Sequence, residues 1–469
     1  MKTDYHEMRD PIHGFIKIST QEKELIDTEV FQRLRRIRQL AMAFLVYPGA
    51  LHTRFDHSIG VMHIAARICN KLQESDPKRI DAKDIALVRL AALLHDIGHG
   101  PFSHVSEHLL DEFTYDKTDK DRVREKIHEK ITVDIIQTDP EIKTILCDEE
   151  RDFVIEMIEG KEKKWDWRRD IVSSELDADK MDYLLRDSYF AGVKYGLYDL
   201  EKIIESCLIT ERSNTPLAIS SKGIYALEQL LLARHHMTQQ VYWHRVSLIS
   251  TEMIIRGLTL AIIYGGNAEM KRLYQYPQKN EEDSDQSYEI KKKDFIQNYL
   301  KYHDEKVIDV LKNDSQVDVP EEARDIFNRL YNRNLFKMVA EIKLKDERDP
   351  ILHSQLDEML TDKQQKHQLE ADIAKCLGVE ATHVIVSNPP IRILNYGAPI
   401  DKSSTEKIMV YDEDQEGLRS MIDYINELFL IRPSTDVSTL KSVQVYAATD
   451  DKEVTEKQKN NIHSILCST

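Results

Sequence analysis

Apolar residues recur three and four positions apart along EKELIDTEVFQRLRRIRQL, GVMHIAARICNKL and DAKDIALVRLAALLHDI. From Thr20 to about Ile204 this pattern predicts successive amphipathic helices. A second helical stretch is predicted from Ile224 to Ile263, over IYALEQLLLARHHMTQQVYWHRVSLISTEMIIRGLTLAII. It is broken by GGN and followed by QKNEEDSDQSYEIKKK, whose polarity reads as a solvated excursion. Beyond about Gln364 the period shortens. The β-branched segments THVIVS, IRILN, KIMVY and SVQVYAA alternate with amphipathic stretches such as EGLRSMIDYINELF. The pattern predicts a mainly α protein, an all-helical core with a smaller C-terminal α+β lobe. The expected division is a core with adjoining helices over 1–263, an extension over 264–363 and the lobe over 364–469. No internal repeat interrupts this reading.

Composition narrows the classes of function. The 469 residues are 41% hydrophobic and 31% charged, enough for a large core and more than one domain. A net charge of −17 argues against an extended nucleic-acid interface, so an anionic substrate must be met by a local basic pocket. Five scattered cysteines fit a reducing compartment and offer no cysteine zinc site. MKTDYHEMRD lacks an apolar signal region, and no apolar run approaches the roughly 20 residues that span a bilayer. A cytoplasmic protein without membrane association is expected.

The candidate chemistry lies in RLAALLHDIGHGPFSH, Arg89 to His104. Burying His95 and Asp96 beside LAALL without a partner is strongly unfavourable, which favours a bound cation. On a helix, His95 and His99 share a face, and GHGP then ends it, leaving His99 and His104 at the lip of a cavity. Further donors are expected from His57 in RFDHSIGVMHIA and from a carboxylate downstream. Two imidazoles with two carboxylates suit a divalent transition metal. His63, His108, His235 and His236 read as ordinary core or surface histidines.

The ordered set RFDHS, HDIGHGPFSH and DADKMDYLLRD resembles the HD-domain phosphohydrolases. Within them it is most similar to the deoxynucleoside triphosphate triphosphohydrolases of the tetrameric kind. The likeness runs from DPIHGFIKI to about Arg256. It implies metal ligands His57, His95, Asp96 and Asp179, with iron, manganese or zinc bound and magnesium accompanying the triphosphate. It implies water attack at the α-phosphorus of a dNTP, releasing deoxynucleoside and inorganic triphosphate. His104 would be the general acid oriented by Glu107, with His99 and His128 along the phosphate path. Arg54, Lys180 and Arg234 would meet the phosphates, while Gln39, Leu40, Tyr183, Asp187 and Tyr242 would enclose the deoxyribose.

Regulation follows from the same resemblance. Asp27, Gln32 and Arg35, on a stretch that composition alone reads as a solvated face, match residues that recognise a guanine nucleotide, dGTP or GTP, between subunits of a homotetramer, a dimer of dimers. Lys222 and Arg245 match a neighbouring nucleotide site. His6 stands where a lysine is expected beside the first nucleotide, Glu201, Ala226 and Gln240 replace basic or amide residues expected around the neighbouring one, and Trp243 replaces a glutamine expected near the substrate base. Lacking a sterile-alpha-motif segment ahead of the core, the chain is expected to be a compact bacterial or archaeal type. The competing readings are an HD phosphohydrolase acting on a ribonucleotide, monophosphate or cyclic nucleotide, and a non-catalytic nucleotide sensor.

Overall fold

In a computed structural model, residues 5–115, 127–159, 166–210, 217–265, 268–280, 283–313, 318–343, 350–387, 408–413, 417–421, 442–450 and 453–467 are described. The chain divides into two compact units that interleave in sequence. One comprises Met1–Tyr242, Ala268–Val307 and Ala398–Arg432; the other Trp243–Asn267, Ile308–Gly397 and Pro433–Thr469. The three successive stretches expected from the sequence are therefore not the units observed, because chain-order composition carries no record of which segments return to pack.

The first unit opens with an antiparallel hairpin, β1 (His6–Asp10) and β2 (Gly14–Ile18), that the helical pattern did not announce. α1 (Thr20–Asp27) and α2 (Glu29–Arg33) follow, started by Ser19 and Thr28 side chains that accept from the first-turn backbone. Three elements build the centre. α3 (Arg54–Ser75) starts at a capping box of Thr53 and Asp56, which places His57 in its first turn. α4 (Ala82–Leu94) is capped by Asp81, and its last seven residues are nearly all buried. The helix Ala178–Ala191 is capped by Asp177, which places Asp179 in its first turn. α3 packs against both of the others, so two helix beginnings and one helix end converge. α5 (His104–Thr114) and α6 (Ile127–Thr138) flank them.

A four-stranded sheet completes this unit, with Cys207–Ile209, Leu217–Ser220, Met409–Asp412 and Gly417–Ser420 in spatial order. Within the amphipathic stretch EGLRSMIDYINELF, Gly417–Ser420 is a strand drawn into pairing with Met409–Asp412; Glu416, the remainder past Met421, and IRILN lie outside the described residues. The polar run after GGN also differs from expectation. Asp285–Tyr299 is a helix whose Phe295, Ile296 and Tyr299 are buried, and Lys292 reaches Asp134 of α6 at 3.0 Å. Its apolar anchors lie past the acidic stretch, which hid them.

In the second unit a sheet orders Lys337–Lys343, Ser442–Ala447 and Val384–Ser387, all antiparallel, over a core including Leu369, Ile373, Ile462 and Leu466. Its helix Arg245–Tyr264 has 20 residues and is apolar enough to meet the length and composition of a membrane span, contrary to the expectation that no run would. Half of that stretch is buried, and Gly257 lies against Phe327 of the helix Glu321–Tyr331, as in a core helix.

Two predictions follow from this packing. A Cβ at Gly60 would overlap Asp182 Oδ1 and Arg186 Nη2, so Gly60→Ala should lose about 1–3 kcal/mol in urea denaturation through overpacking. Asp170 is buried, and desolvation, opposed by the Leu217 N–H it accepts, raises its carboxyl to about 7. The folded state then holds a proton that the unfolded chain releases near 4. This group's contribution to stability therefore falls as pH rises from about 4 to about 7, and Asp170→Asn should flatten that part of the pH–stability curve.

Candidate metal and proton-transfer site

His57, His95 and Asp179 present ligand atoms that all lie within 4.8 Å of one another. His57 Nε2 is 2.8 Å from Asp179 Oδ1 and 3.8 Å from Asp96 Oδ2, and His95 Nε2 is 3.2 Å from Asp96 Oδ1 and 3.9 Å from Asp179 Oδ1. Each imidazole is tied through its other nitrogen. Nδ1 of His57 lies 2.9 Å from Asp182 Oδ2, and Nδ1 of His95 lies 2.7 Å from the Ala92 carbonyl. Both Nε2 atoms are thereby turned toward the carboxylates, and Nε2 of His95 is buried without a hydrogen-bond partner. Two imidazole and two carboxylate donors with one orphaned nitrogen fit a divalent transition metal. All four ligands expected from the sequence are brought together. The helix carrying His95, however, ends at Leu94, with His95 as its cap, so His95 and His99 are not one turn apart on a helical face.

Charge in this group is balanced internally. Asp96 is buried, which by itself disfavours its ionised form; Arg54, His95 and His99 outweigh that and hold its carboxyl well below the usual range. Burial likewise disfavours a charged His57, yet hydrogen bonds to Asp179 and Asp182 carry it up to about 10. Arg54 is itself buried, donating to Asp96 Oδ2 and, from Nε, to Ser103 Oγ at 2.8 Å. One terminal nitrogen, Nη2, remains without a partner.

A second group adjoins the first through Asp96. His99 Nε2 lies 3.3 Å from Asp96 Oδ1, and its ring stacks on His128 at 4.1 Å between centroids. His128 Nδ1 contacts Glu107 Oε1, while His104 Nδ1 lies 3.2 Å from Glu107 Oε2. His104 is exposed, but His99 is buried, so His99 is not at a cavity lip as expected. Burial together with the charges of Arg54 and His128 keeps His99 neutral. Burial would raise the Glu107 carboxyl; its histidine partners, His128 foremost, drive it far down instead, so it remains an acceptor.

The turn between these groups is strained and heavily pinned. Phe102 and Ser103 both have left-handed φ, at 61° and 53°, which for non-glycine residues costs on the order of 1–3 kcal/mol each. Phe102 N–H donates to Asp304 Oδ1 at 2.8 Å, Ser103 Oγ donates to the Arg38 carbonyl at 2.8 Å, and Arg33 Nη1 donates to the His99 carbonyl at 2.9 Å. Tyr299 Oη donates to the Gly98 carbonyl at 3.0 Å, and Gly98 N–H donates to Thr132 Oγ1 at 3.0 Å. A Cβ at Gly98 would strike the His128 carbonyl and one at Gly100 the Tyr299 hydroxyl, so glycine is what lets the turn lie this close.

The residues expected to enclose a sugar form another cluster. Tyr242, at the end of the single π turn Thr238–Tyr242, donates to Asp187 Oδ2 at 2.7 Å, and its ring meets Tyr183 at 6.3 Å, edge to face. Asp187 Oδ1 lies 2.7 Å from Nε2 of His52, whose ring stacks on Phe190. Gln39 donates its N–H to the His52 carbonyl and keeps a buried Oε1 without a partner, while the Leu40 carbonyl accepts from Ala43. Lys180 donates to the Ser174 carbonyl and to Asp177, and Arg234 donates to Glu175. These cations already have carboxylate partners. Among the expected nucleotide-recognition residues, Gln32 accepts from Arg35 Nε at 2.9 Å, Asp27 pairs with Lys23, Lys222 pairs with Glu413, and Arg245 begins the helix Arg245–Tyr264. The sequence reading missed His52, Asp182 and Asp304. Asp182 was detectable, three residues after Asp179 on one helix face; isolated His52 and distant Asp304 carried no local signal.

The chain matches the HD domain model over residues 54–187 and the HD associated region model over 198–288 and 286–428. It is 39% identical over 252 residues, 54% of this chain and 49% of the relative, to an uncharacterized protein of Methanocaldococcus jannaschii. It is 29% identical over 344 residues, 71% of this chain and 60% of the relative, to a deoxynucleoside triphosphate triphosphohydrolase SAMHD1 homolog of Dictyostelium discoideum. A crystal structure of a phosphohydrolase from Bacteroides thetaiotaomicron shares the fold with a TM-score of 0.70 and 24% identity, covering 95% of this chain and 100% of that one. The chain spans about half the length of the first curated relatives it matches.

The geometry separates ligands from proton-handling residues in a way that metal analysis can read. Asp179→Ala should purify with markedly less divalent metal than the parent, whereas His104→Ala should retain the parent's content. Equal loss in both would contradict the separation.

Proposed function

Starting from the chain's membership of the HD-domain phosphohydrolase family, we propose that it is a metal-dependent deoxynucleoside triphosphate triphosphohydrolase. The observation that carries this reading is the sharing of Asp96, whose Oδ1 lies 3.2 Å from His95 Nε2 and 3.3 Å from His99 Nε2. One carboxylate thus joins a metal-ligand set to a histidine–glutamate group suited to moving protons, an arrangement that a purely structural metal does not need. His57, His95, Asp96 and Asp179 would hold iron, manganese or zinc. When bound there, such an ion supplies Lewis acidity toward a phosphoryl oxygen and makes a water acidic enough to react near neutral pH.

The side chains then divide the work. Water adds to the α-phosphorus, the bond to the 5′-oxygen breaks, and that oxygen must gain a proton. His104 donates it from Nε2, with Nδ1 held toward Glu107. Arg54, with Nη2 unpartnered, Lys180 and Arg234 would meet the anionic oxygens of the triphosphate, whose remaining charge magnesium would offset. Asp187, oriented by Tyr242 and His52, accepts from the 3′-hydroxyl, and the Gln39 side-chain amide donates to the same oxygen. Tyr183, Tyr242 and Leu40 leave little room for a 2′-hydroxyl. The name of the Dictyostelium relative supports this substrate class. The pairing of Lys180 with Asp177 and of Arg234 with Glu175 favours, as a second reading, a nucleotide with fewer phosphates.

In this reading dGTP or GTP binds at Asp27, Gln32 and Arg35, with Lys222 and Arg245 at a neighbouring site, and assembles a homotetramer in the cytoplasm. Two measurements test it. Purified protein with manganese or magnesium and each dNTP, alone and mixed with dGTP or GTP, should release deoxynucleoside and inorganic triphosphate; diphosphate, monophosphate or no product in every mixture overturns the triphosphohydrolase. Sedimentation across a dilution series should show a tetramer that guanine nucleotide stabilises, and an invariant monomer overturns the assembly.

A further inference from the structure

The β1–β2 hairpin reaches the metal-ligand group through one buried carboxylate. Asp182 lies on the helix Ala178–Ala191 and is fully buried. Its Oδ1 is 2.7 Å from Nε2 of His13, in the hairpin turn, and accepts from Arg186 Nη2 at 3.0 Å. Its Oδ2 is 2.9 Å from Nδ1 of His57 and accepts from Arg186 Nε at 2.8 Å. Arg186 donates in turn from Nη1 to Asp10 Oδ2 at 2.8 Å, and Asp10 Oδ1 accepts from the N–H groups of Ile12 and His13, each at 2.8 Å, closing the turn.

A carboxylate flanked by four nitrogens only accepts, which assigns the tautomers. His13 carries hydrogen on Nε2 and His57 on Nδ1, leaving Nε2 of His57 toward Asp179 and Asp96. A ligating imidazole is oriented, and its donor strength raised, by the group that its second nitrogen meets. We propose that Asp182 and His13 are positioning residues for His57, so that the seating of the N-terminal hairpin sets the affinity of the site for a divalent transition metal. The proposal rests on the metal-dependent reading above. Arg186 binds Asp182 through both carboxylate oxygens and neutralises it, but His13 is the second donor on Oδ1. Without it, Oδ1 keeps only the Arg186 Nη2 hydrogen bond, so the carboxylate that orients His57 is held by one donor fewer.

The test uses metal-stripped full-length protein, titrated with manganese or cobalt in competition with a chelator. Losing the direct partner of a ligating imidazole weakens metal binding by roughly 10–100-fold; His13 acts one step further out, through Asp182, and His13→Leu should weaken it toward the lower end of that range. His13→Gln places an amide N–H within reach of Asp182 and should bind metal as the parent does. Phe15→Ser, on the same hairpin but with an exposed ring, should also match the parent. If His13→Leu does not fold, His13→Ala removes the same donor without added bulk and gives the same contrast. Parental affinity in the Leu or Ala variant, or a loss confined to the thermal stability of the metal-free protein, overturns the proposal. A parent whose metal affinity is unchanged by Asp179→Ala overturns the metal site itself, so the two failures are distinguishable.

Discussion

The centre of this molecule depends on keeping the Asp96 carboxylate ionised where water does not reach it. Isolated, such a charge would be expelled or protonated, since desolvation alone amounts to several kcal/mol. Here Arg54 is buried against it, and Nε2 of His95 and of His99 lie 3.2 and 3.3 Å from its other oxygen. The arginine that compensates the charge keeps one buried nitrogen, Nη2, without a partner. A single ion pair therefore sets the charge balance of the site.

The same balance explains why the surrounding backbone is so constrained. Two successive residues in left-handed conformation would relax if only local forces acted, but Asp304, Arg38, Arg33, Tyr299 and Thr132 hold that turn. Asp304 does so as a buried carboxyl that desolvation raises to about 6, more than its two backbone N–H partners lower it. Strain at one turn is thus offset by hydrogen bonds from segments as distant as residues 33 and 304. The result is a buried His99 beside Asp96 and an exposed His104 on the first turn of the next helix.

The sequence revealed most about this centre where chemistry was locally implausible without a ligand. His95 and Asp96 beside a run of apolar residues demanded a partner, and the ordered motifs supplied His57 and Asp179. All four meet in space. Less visible were features made by long-range return of the chain. The hairpin at residues 6–18, the helix hidden past the acidic run and the interleaving of the two units depend on packing partners that no local window contains. EGLRSMIDYINELF read as an amphipathic stretch, whereas pairing with Met409–Asp412 makes Gly417–Ser420 a strand. Likewise, charge at Lys180 and Arg234 was legible, but their existing partners Asp177 and Glu175 were not.

Among the described residues, two groups of side chains could hold a cation, His57 with His95 and Asp179, and His99 with Glu107 and His128. Metal is expected in the first and proton transfer in the second. Anomalous diffraction from manganese-loaded crystals distinguishes them most directly. One strong peak is expected, bounded by His57, His95, Asp96 and Asp179, with none among His99, Glu107 and His128. A peak in the second group, or none in the first at saturating manganese, would contradict that assignment.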